Sequence, residues 1–193
     1  DCGARVLVVA AGLDMLVQQL RPLLPEGLRC FMVGPPAPGF ESWEATVDAA
    51  PASPIADPAQ GQDMLYSSGT TGRPKGVKWP LPQTAAGSRT MLVNLLAPLF
   101  GYGRDCRYLS PAPLYHAAPL RHCMTVIKLG GSVFVMQHFD AERSLHCIAQ
   151  HRITHSQWVP TMFVRMLKLP DEVRLRHDLT SMQVAVHAAA PCP

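Results

Sequence analysis

Tyr66-Ser67-Ser68-Gly69-Thr70-Thr71-Gly72-Arg73-Pro74-Lys75-Gly76-Val77-Lys78 places four Ser/Thr hydroxyls, three glycines and three cations within thirteen residues. Glycine lets the backbone approach an anion closely and reach positive φ. Successive N–H groups in such a turn form a concave nest for phosphate oxygens. The hydroxyls of Ser67, Ser68, Thr70 and Thr71 add donors, and Lys75 adds a mobile point charge. The stretch reads as a loop that grips a polyphosphate. It is not a Walker A loop, which needs Gly, four residues and then Gly-Lys-Ser/Thr. Here Gly69 and Gly72 stand three apart and Gly76 follows Lys75. Pro74 disfavours helical geometry at Arg73, so extended segments are expected on both sides, over 63–68 and 76–79. The competing reading of this string is a plain surface turn, which the attached Pro-Lys-Gly argues against.

Working outward, the chain of 193 residues is long enough for one domain with a real core. With 48% hydrophobic and 16% charged residues the profile is globular. A net charge of +3 is too weak to argue for nucleic acid, and no Lys/Arg run tracks a groove. Apolar stretches such as 91–100 are too short to span a bilayer, so no transmembrane segment is expected. Cysteines at 2, 30, 106, 123, 147 and 192 form no Cys-x-x-Cys pair and mostly fall in apolar segments. Reduced, mostly buried thiols and a cytoplasmic setting follow. The chain opens on Asp1-Cys2-Gly3 with no visible signal peptide, which suggests a fragment or a processed chain.

Periodicity predicts strands over 5–10 and 28–33 with helical spacing of Leu13, Leu16, Val17 and Leu20 between them, a strand–helix–strand unit with parallel strands. Residues 34–62 read as a connector with at most one short helix near 42–49. A helix is expected over 83–99, with Pro98 marking or kinking its end. Strands follow at 107–109, 132–136, 154–159 and 183–186. Helices are expected at 117–128, stopped by Gly130-Gly131, after an Asp140 N-cap, and over 161–169. Alternation of this kind gives an α/β domain with a mostly parallel sheet and flanking helices. Four segments result: a βαβ unit (1–33), the connector (34–62), the phosphate loop with its flanking strands (63–80) and an α/β subdomain (81–193).

With these elements in place, the chain resembles the adenylate-forming, AMP-binding superfamily of acyl-CoA synthetases, in particular the central part of its large N-terminal domain. Three motifs carry the likeness in the family's order: the loop 67–75; Pro113-Leu114-Tyr115-His116, similar to the family's aromatic-His segment beside the acyl site; and Val184-Ala185-Val186-His187-Ala188-Ala189-Ala190-Pro191, similar to the strand and small-residue turn that packs on adenine. Phe139-Asp140 and Pro160-Thr161-Met162 fit the same frame. The resemblance implies an ATP-dependent acyl-CoA ligase that adenylates a carboxylate and then forms a thioester with CoA, with a medium or long fatty acid as substrate. It implies ATP and Mg2+ as cofactors and CoA as co-substrate.

The resemblance assigns Ser67, Ser68, Gly69, Thr70, Thr71, Gly72 and Lys75 to the β- and γ-phosphates, with Thr70 or Thr71 near magnesium. Arg73 reads as an exposed, solvated charge. His116 is placed between acyl pocket and phosphate, where an imidazole can donate to the carboxylate or α-phosphate or gate the pocket; alone, one of eight histidines would read as a satisfied core or surface residue. Ala189, Ala190 and Pro191 fall on the adenine-side turn, where many relatives carry Gly-Gly in place of Ala188-Ala189. His138 stands where many relatives carry a cation that can meet a CoA phosphate. Trp158, Met124, Met162 and Met166 are candidates for an acyl lining, with plain core as the blander reading. The resemblance places the family's magnesium-binding Glu segment, ribose-binding Asp and C-terminal lysine beyond Pro193, so the 193-residue piece alone is expected to be inactive.

No Gly-x-Ser-x-Gly elbow or His-Glu-x-x-His pattern supports a serine hydrolase or a zinc enzyme. His151 and His155, four apart, should not share a helical face because a strand begins between them. Two alternatives stay open: an adenylation domain loading a carrier protein, and a non-catalytic nucleotide-binding or interaction module. Oligomeric state is not legible.

Overall fold

The computed structural model describes residues 2–67 and 74–191. The chain folds as two compact units, residues 1–86 and 87–193. In the first, β1 (Val6–Ala10), α1 (Asp14–Leu20) and β2 (Arg29–Val33) form the expected βαβ unit with parallel strands. The connector holds more structure than its Pro-rich composition suggests. A two-residue strand, β3 (Glu41–Ser42), adds to β2 in parallel, and α2 (Trp43–Asp48) follows at once. Ser42 caps α2 by accepting a hydrogen bond from the Ala45 N–H. β2 is central, so Cys30, Phe31 and Met32 are buried. The Trp43 ring meets Phe31 edge-on at 6.0 Å, and Arg29 bridges to Glu41 at 2.9 Å across the sheet end.

The two extended segments flanking the Ser-Gly-Thr-Thr-Gly loop are β4 (Leu65–Ser67) and β5 (Lys75–Val77). They pair antiparallel as a hairpin.

The expected helix over 83–99 begins only at Met91. Residues 83–90 carry Gly87, Ser88 and Thr90, and they are committed elsewhere: Ala85 bridges to Ala59, and the Gln60 N–H donates to the Thr84 carbonyl at 3.3 Å. Thr90 then opens α3 (Met91–Phe100) by accepting from the Val93 N–H at 3.2 Å. Pro98 lies inside this helix rather than ending it. The stop is Gly101, at φ 69°, whose left-handed conformation lets the Tyr102 N–H return to the Ala97 carbonyl.

In the second unit β6 (Arg107–Ser110), α4 (Ala117–Lys128), β7 (Ser132–Val135), α5 (Ala141–His151), β8 (His155–Trp158), α6 (Pro160–Leu167), α7 (Asp171–Arg174) and β9 (Val184–His187) follow in order. Only the one-turn α7 lacks a sequence expectation. Asp140 caps α5, accepting from the Arg143 N–H at 2.7 Å. His151 ends α5 and His155 starts β8, so the two share no helical face. The sheet is parallel throughout, in the order β7-β6-β8-β9.

Side chains alternate across this sheet and define its two cores. Tyr108, fully buried, points to a cluster with Tyr102, Cys106, Cys123 and Val126 under α3 and α4. Leu109, its neighbour, is equally buried on the opposite face with Leu145, Ile148, Trp158, Met162 and Met166 under α5 and α6. Trp158, Met162 and Met166 are therefore core residues, while Met124 is exposed. Cys30, Cys106 and Cys123 are buried free thiols, Cys147 is half-buried and Cys2 is exposed.

Candidate functional site

The hairpin of β4 and β5 sets Ser67 opposite Lys75. Directly paired residues on antiparallel strands hold their Cβ atoms about 4.5–5.5 Å apart. A hydroxyl and an ammonium thus stand together at the base of the Ser-Gly-Thr-Thr-Gly loop, both exposed. Ser68, Gly69, Thr70, Thr71, Gly72 and Arg73 lie outside the described residues. One step back, Gly76 faces Tyr66. A Cβ at Gly76 would collide with Met64 Cε and sit 3.1 Å from the Tyr66 ring, so the ring lies over bare backbone. This glycine lets the hairpin close under an aromatic side chain.

In the second unit four segments leave the sheet at the carboxyl ends of its strands: residues 111–116 follow β6, residues 136–140 follow β7, Val159 follows β8, and residues 188–191 follow β9. From β6 the chain passes through α4 to β7 on one side, then through α5 back across to β8 on the other. The junction of β6 and β8 is therefore a topological switch point, where open α/β sheets take their ligands.

His116 stands at this edge, in the N-cap position of α4, with extended backbone (φ −84°, ψ 144°) and no capping bond from its side chain. Its exposed ring lies 4.5 Å from that of Tyr115. The imidazole is thus held beside free N–H groups of a twelve-residue helix, a combination that favours anions.

The turn after β9 begins where the Ala188 N–H donates to the Trp158 carbonyl at 3.0 Å. Ala189 has φ 76°, the left-handed conformation that glycine adopts freely and alanine only at a cost of about 1–2 kcal/mol. Ala190 and Pro191 continue the exposed turn. His138 is exposed beside half-buried Phe139, whose ring carries the Arg165 guanidinium at 4.7 Å.

Two polar side chains at this edge have no role assigned by the resemblance. Gln157 on β8 is only 5% exposed, and its Oε1 is buried without a hydrogen-bond partner among the described residues. The His187 ring on β9 stacks on Phe163 at 5.8 Å, and its buried Nε2 is likewise unpartnered. The signal for Gln157 in the sequence is the run His155-Ser156-Gln157: three polar residues in a strand that is buried along its length. Ser156 donates to the Leu109 carbonyl at 2.7 Å, and His155 engages Thr154 and the Phe100 carbonyl. Gln157 alone is left unsatisfied.

Behind the α4 side of the sheet lies a buried ring cluster. His122 Nδ1 and Tyr102 Oη lie 2.7 Å apart, and the His122 ring stacks on Tyr108. Burial lowers the pKa of His122 and of His155, the latter opposed by its bond to the Phe100 carbonyl. Burial also pushes the Cys106 thiol up to about 11 and raises both tyrosines. Among the described residues no group of three or more His, Cys, Asp or Glu is arranged to hold a metal, and no helix is long and apolar enough to cross a membrane.

Compared with known proteins, residues 1–193 match the AMP-binding enzyme family. The chain belongs to that family. Among curated relatives it is 35% identical over 133 residues to a medium/long-chain-fatty-acid–CoA ligase of Mycobacterium tuberculosis, covering 69% of this chain and 22% of the relative. It is 31% identical over 134 residues to a 2-succinylbenzoate–CoA ligase of Bacillus pumilus, covering 69% and 26%. It is also 31% identical over 175 residues to an indoleacetate–CoA ligase of Aromatoleum aromaticum, covering 88% and 33%. The chain thus spans a third or less of these AMP-binding relatives. Among solved structures, the anthranilate CoA ligase AuaEII with anthranoyl-AMP superposes with TM-score 0.76 at 25% identity, over 100% of this chain and 37% of that one. The N-terminal domain of FACL13 from Mycobacterium tuberculosis gives 0.75 at 21% identity, over 99% and 46%, a likeness of fold.

Proposed function

We propose that the protein carrying this chain is an ATP-dependent acid–CoA ligase and that this chain holds its nucleotide. The observation that carries the reading is the hairpin pairing of Ser67 with Lys75 at the root of a Ser-Gly-Thr-Thr-Gly loop, in a chain of the AMP-binding family. In the first half-reaction a carboxylate oxygen attacks the α-phosphorus of ATP and pyrophosphate leaves. In the second, the CoA thiol attacks the acyl carbon and AMP leaves with the C–O bond electrons. Lys75, Ser67, Ser68, Thr70 and Thr71 neutralise charge on the departing pyrophosphate. Thr70 or Thr71 would stand beside a magnesium ion, which would supply charge neutralisation on the phosphates. His116 and the α4 N-terminus orient the reacting carboxylate, and 189–191 form the floor for adenine.

The acid is a carboxylate with an extended body. The relative from Mycobacterium tuberculosis supports a fatty acid, whereas the names of the other relatives span aromatic acids. CoA, rather than a carrier protein, is the acceptor in this reading, because the curated relatives compared are CoA ligases. A cytoplasmic setting suits both co-substrates. The test is to supply the full-length protein with ATP, Mg2+, CoA and a panel of carboxylic acids. Formation of acyl-CoA with AMP and pyrophosphate is expected; ADP as product, or no acid-dependent turnover, contradicts the proposal.

A further inference from the structure

We propose that the His122–Tyr102 pair is a pH-sensitive latch on α4: with His122 neutral it holds the N-terminal half of the helix, and His116 with it, against the sheet, and on acidification it lets that half go. The inference rests on the ligase reading above and adds regulation to its site. His116 caps the helix that carries His122, six residues on and about 9 Å along the axis. Of residues 117–122, Pro119 and His122 are the buried ones, whereas Cys123, Thr125 and Val126 anchor the C-terminal half. Ala117 and Ala118 are exposed, and the His116 side chain makes no capping bond. The polar grip on the first two turns thus falls to His122.

His122 meets its surroundings through rings. Its Nδ1 lies 2.7 Å from Tyr102 Oη, its ring stacks on Tyr108 of β6 with 9° between the planes, and the Phe100 ring at the end of α3 stands 5.3 Å away. Cys106, before β6, and Cys123, on α4, belong to the same cluster, and His155 of β8 reaches it through Tyr102. Burial raises the pKa of both thiols and both phenols, so these four groups are uncharged at neutral pH and offer an imidazolium no counter-charge. A neutral imidazole protonated at Nε2 accepts the Tyr102 hydroxyl at Nδ1. An imidazolium carries hydrogen on both nitrogens, so the Tyr102 O–H must turn away and a charge is left buried among aromatic rings. Release to water relieves both. His155 differs: its Nε2 faces the Phe100 carbonyl at 3.0 Å, a bond that a protonated ring keeps. His122 is therefore the group that works the latch.

The experiment follows hydrogen exchange of α4 by mass spectrometry in the full-length protein from pH 8 to about pH 5.5, corrected for intrinsic exchange, beside acid-dependent exchange of labelled pyrophosphate into ATP. Opening of the N-terminal half of α4 is expected to rise by up to about 10-fold per pH unit below about 6.5, the limit for one imidazole, while α5 on the opposite face of the sheet keeps its protection. Pyrophosphate exchange should fall over the same range. In His122→Gln the carboxamide oxygen can still accept from Tyr102 but does not titrate. The rise in α4 opening should then shrink to within about 2-fold, and the decline in activity should become shallower. Tyr102→Phe should raise α4 opening at pH 8 by about 2- to 10-fold, the worth of one hydrogen bond. Loss of protection in α4 and α5 together, a wild-type profile in His122→Gln, or unchanged α4 opening in Tyr102→Phe overturns the latch. Absence of acid-dependent pyrophosphate exchange at every pH overturns the ligase reading and with it the regulatory role, whatever the hydrogen-exchange profile.

Discussion

Lys75 carries the charge that the proposed chemistry needs, and its effect should be confined to one step. Lys75→Ala in the full-length protein is expected to slow adenylation about 100-fold, while thioester formation from supplied acyl-AMP changes little, because pyrophosphate is absent from that step. Rapid-quench measurement of each half-reaction checks this; equal slowing of both contradicts the role. Ala189 allows a second test at the same scale. Its φ of 76° suits glycine, so Ala189→Gly is expected to raise stability by up to about 1 kcal/mol in chemical denaturation. Gly131 is the opposite case: a Cβ there would stand 2.9 Å from the Cys106 carbonyl oxygen and 2.8 Å from Val126 Cγ1. Gly131→Ala is expected to cost about 1–3 kcal/mol by the same measurement. The hydroxyls, the glycines and Lys75 were legible as a candidate phosphate loop because their type and spacing suffice to propose one. The unpaired amide oxygen of Gln157 was not legible, because it depends on what its neighbours leave unsatisfied, and that needs coordinates.

At the scale of elements, α4 is bound to the sheet through the buried rings of His122, Tyr102 and Tyr108, with His155 on the adjoining strand. Cys106, Cys123 and Val126 belong to the same cluster. Both imidazoles are held neutral by burial, below the ordinary value of 6.5. The unfolded chain therefore binds more protons than the folded one as pH falls through that value. Stability is complete above about pH 6.5 and declines as the solution is acidified towards the folded-state pKa values. Thermal unfolding of the chain between pH 8 and 5 should show this decline, and His122→Gln should make it shallower; a stability that rises on acidification contradicts the buried neutral rings. Most elements were legible as short β-branched runs alternating with helical periodicity and marked by Asp140 and Gly130. The late start of α3 and the short β3 were not. Residues 83–90 look helical by composition, yet their backbone is engaged by Ala59 and Gln60, partners more than twenty residues away. Such distant pairings leave no local signal.

At the scale of the whole chain, the sequence reading starts an α/β subdomain at residue 81, and the chain divides into compact units of residues 1–86 and 87–193, within a segment that reads as helix. The boundary runs through exposed coil that includes Arg89. Brief trypsin treatment of the 193-residue chain is expected to cut after Arg89 early and leave a persistent fragment starting at Thr90, seen by mass spectrometry; early cleavage within β6 to β9 would contradict a separately compact second unit. The central claim is that this chain holds ATP for attack by a carboxylate. Its most direct test is acid-dependent exchange of labelled pyrophosphate into ATP by the full-length protein, with CoA omitted. Exchange that requires the acid and is lost in Lys75→Ala is expected; acyl-CoA formation by a protein that shows no such exchange would contradict the account.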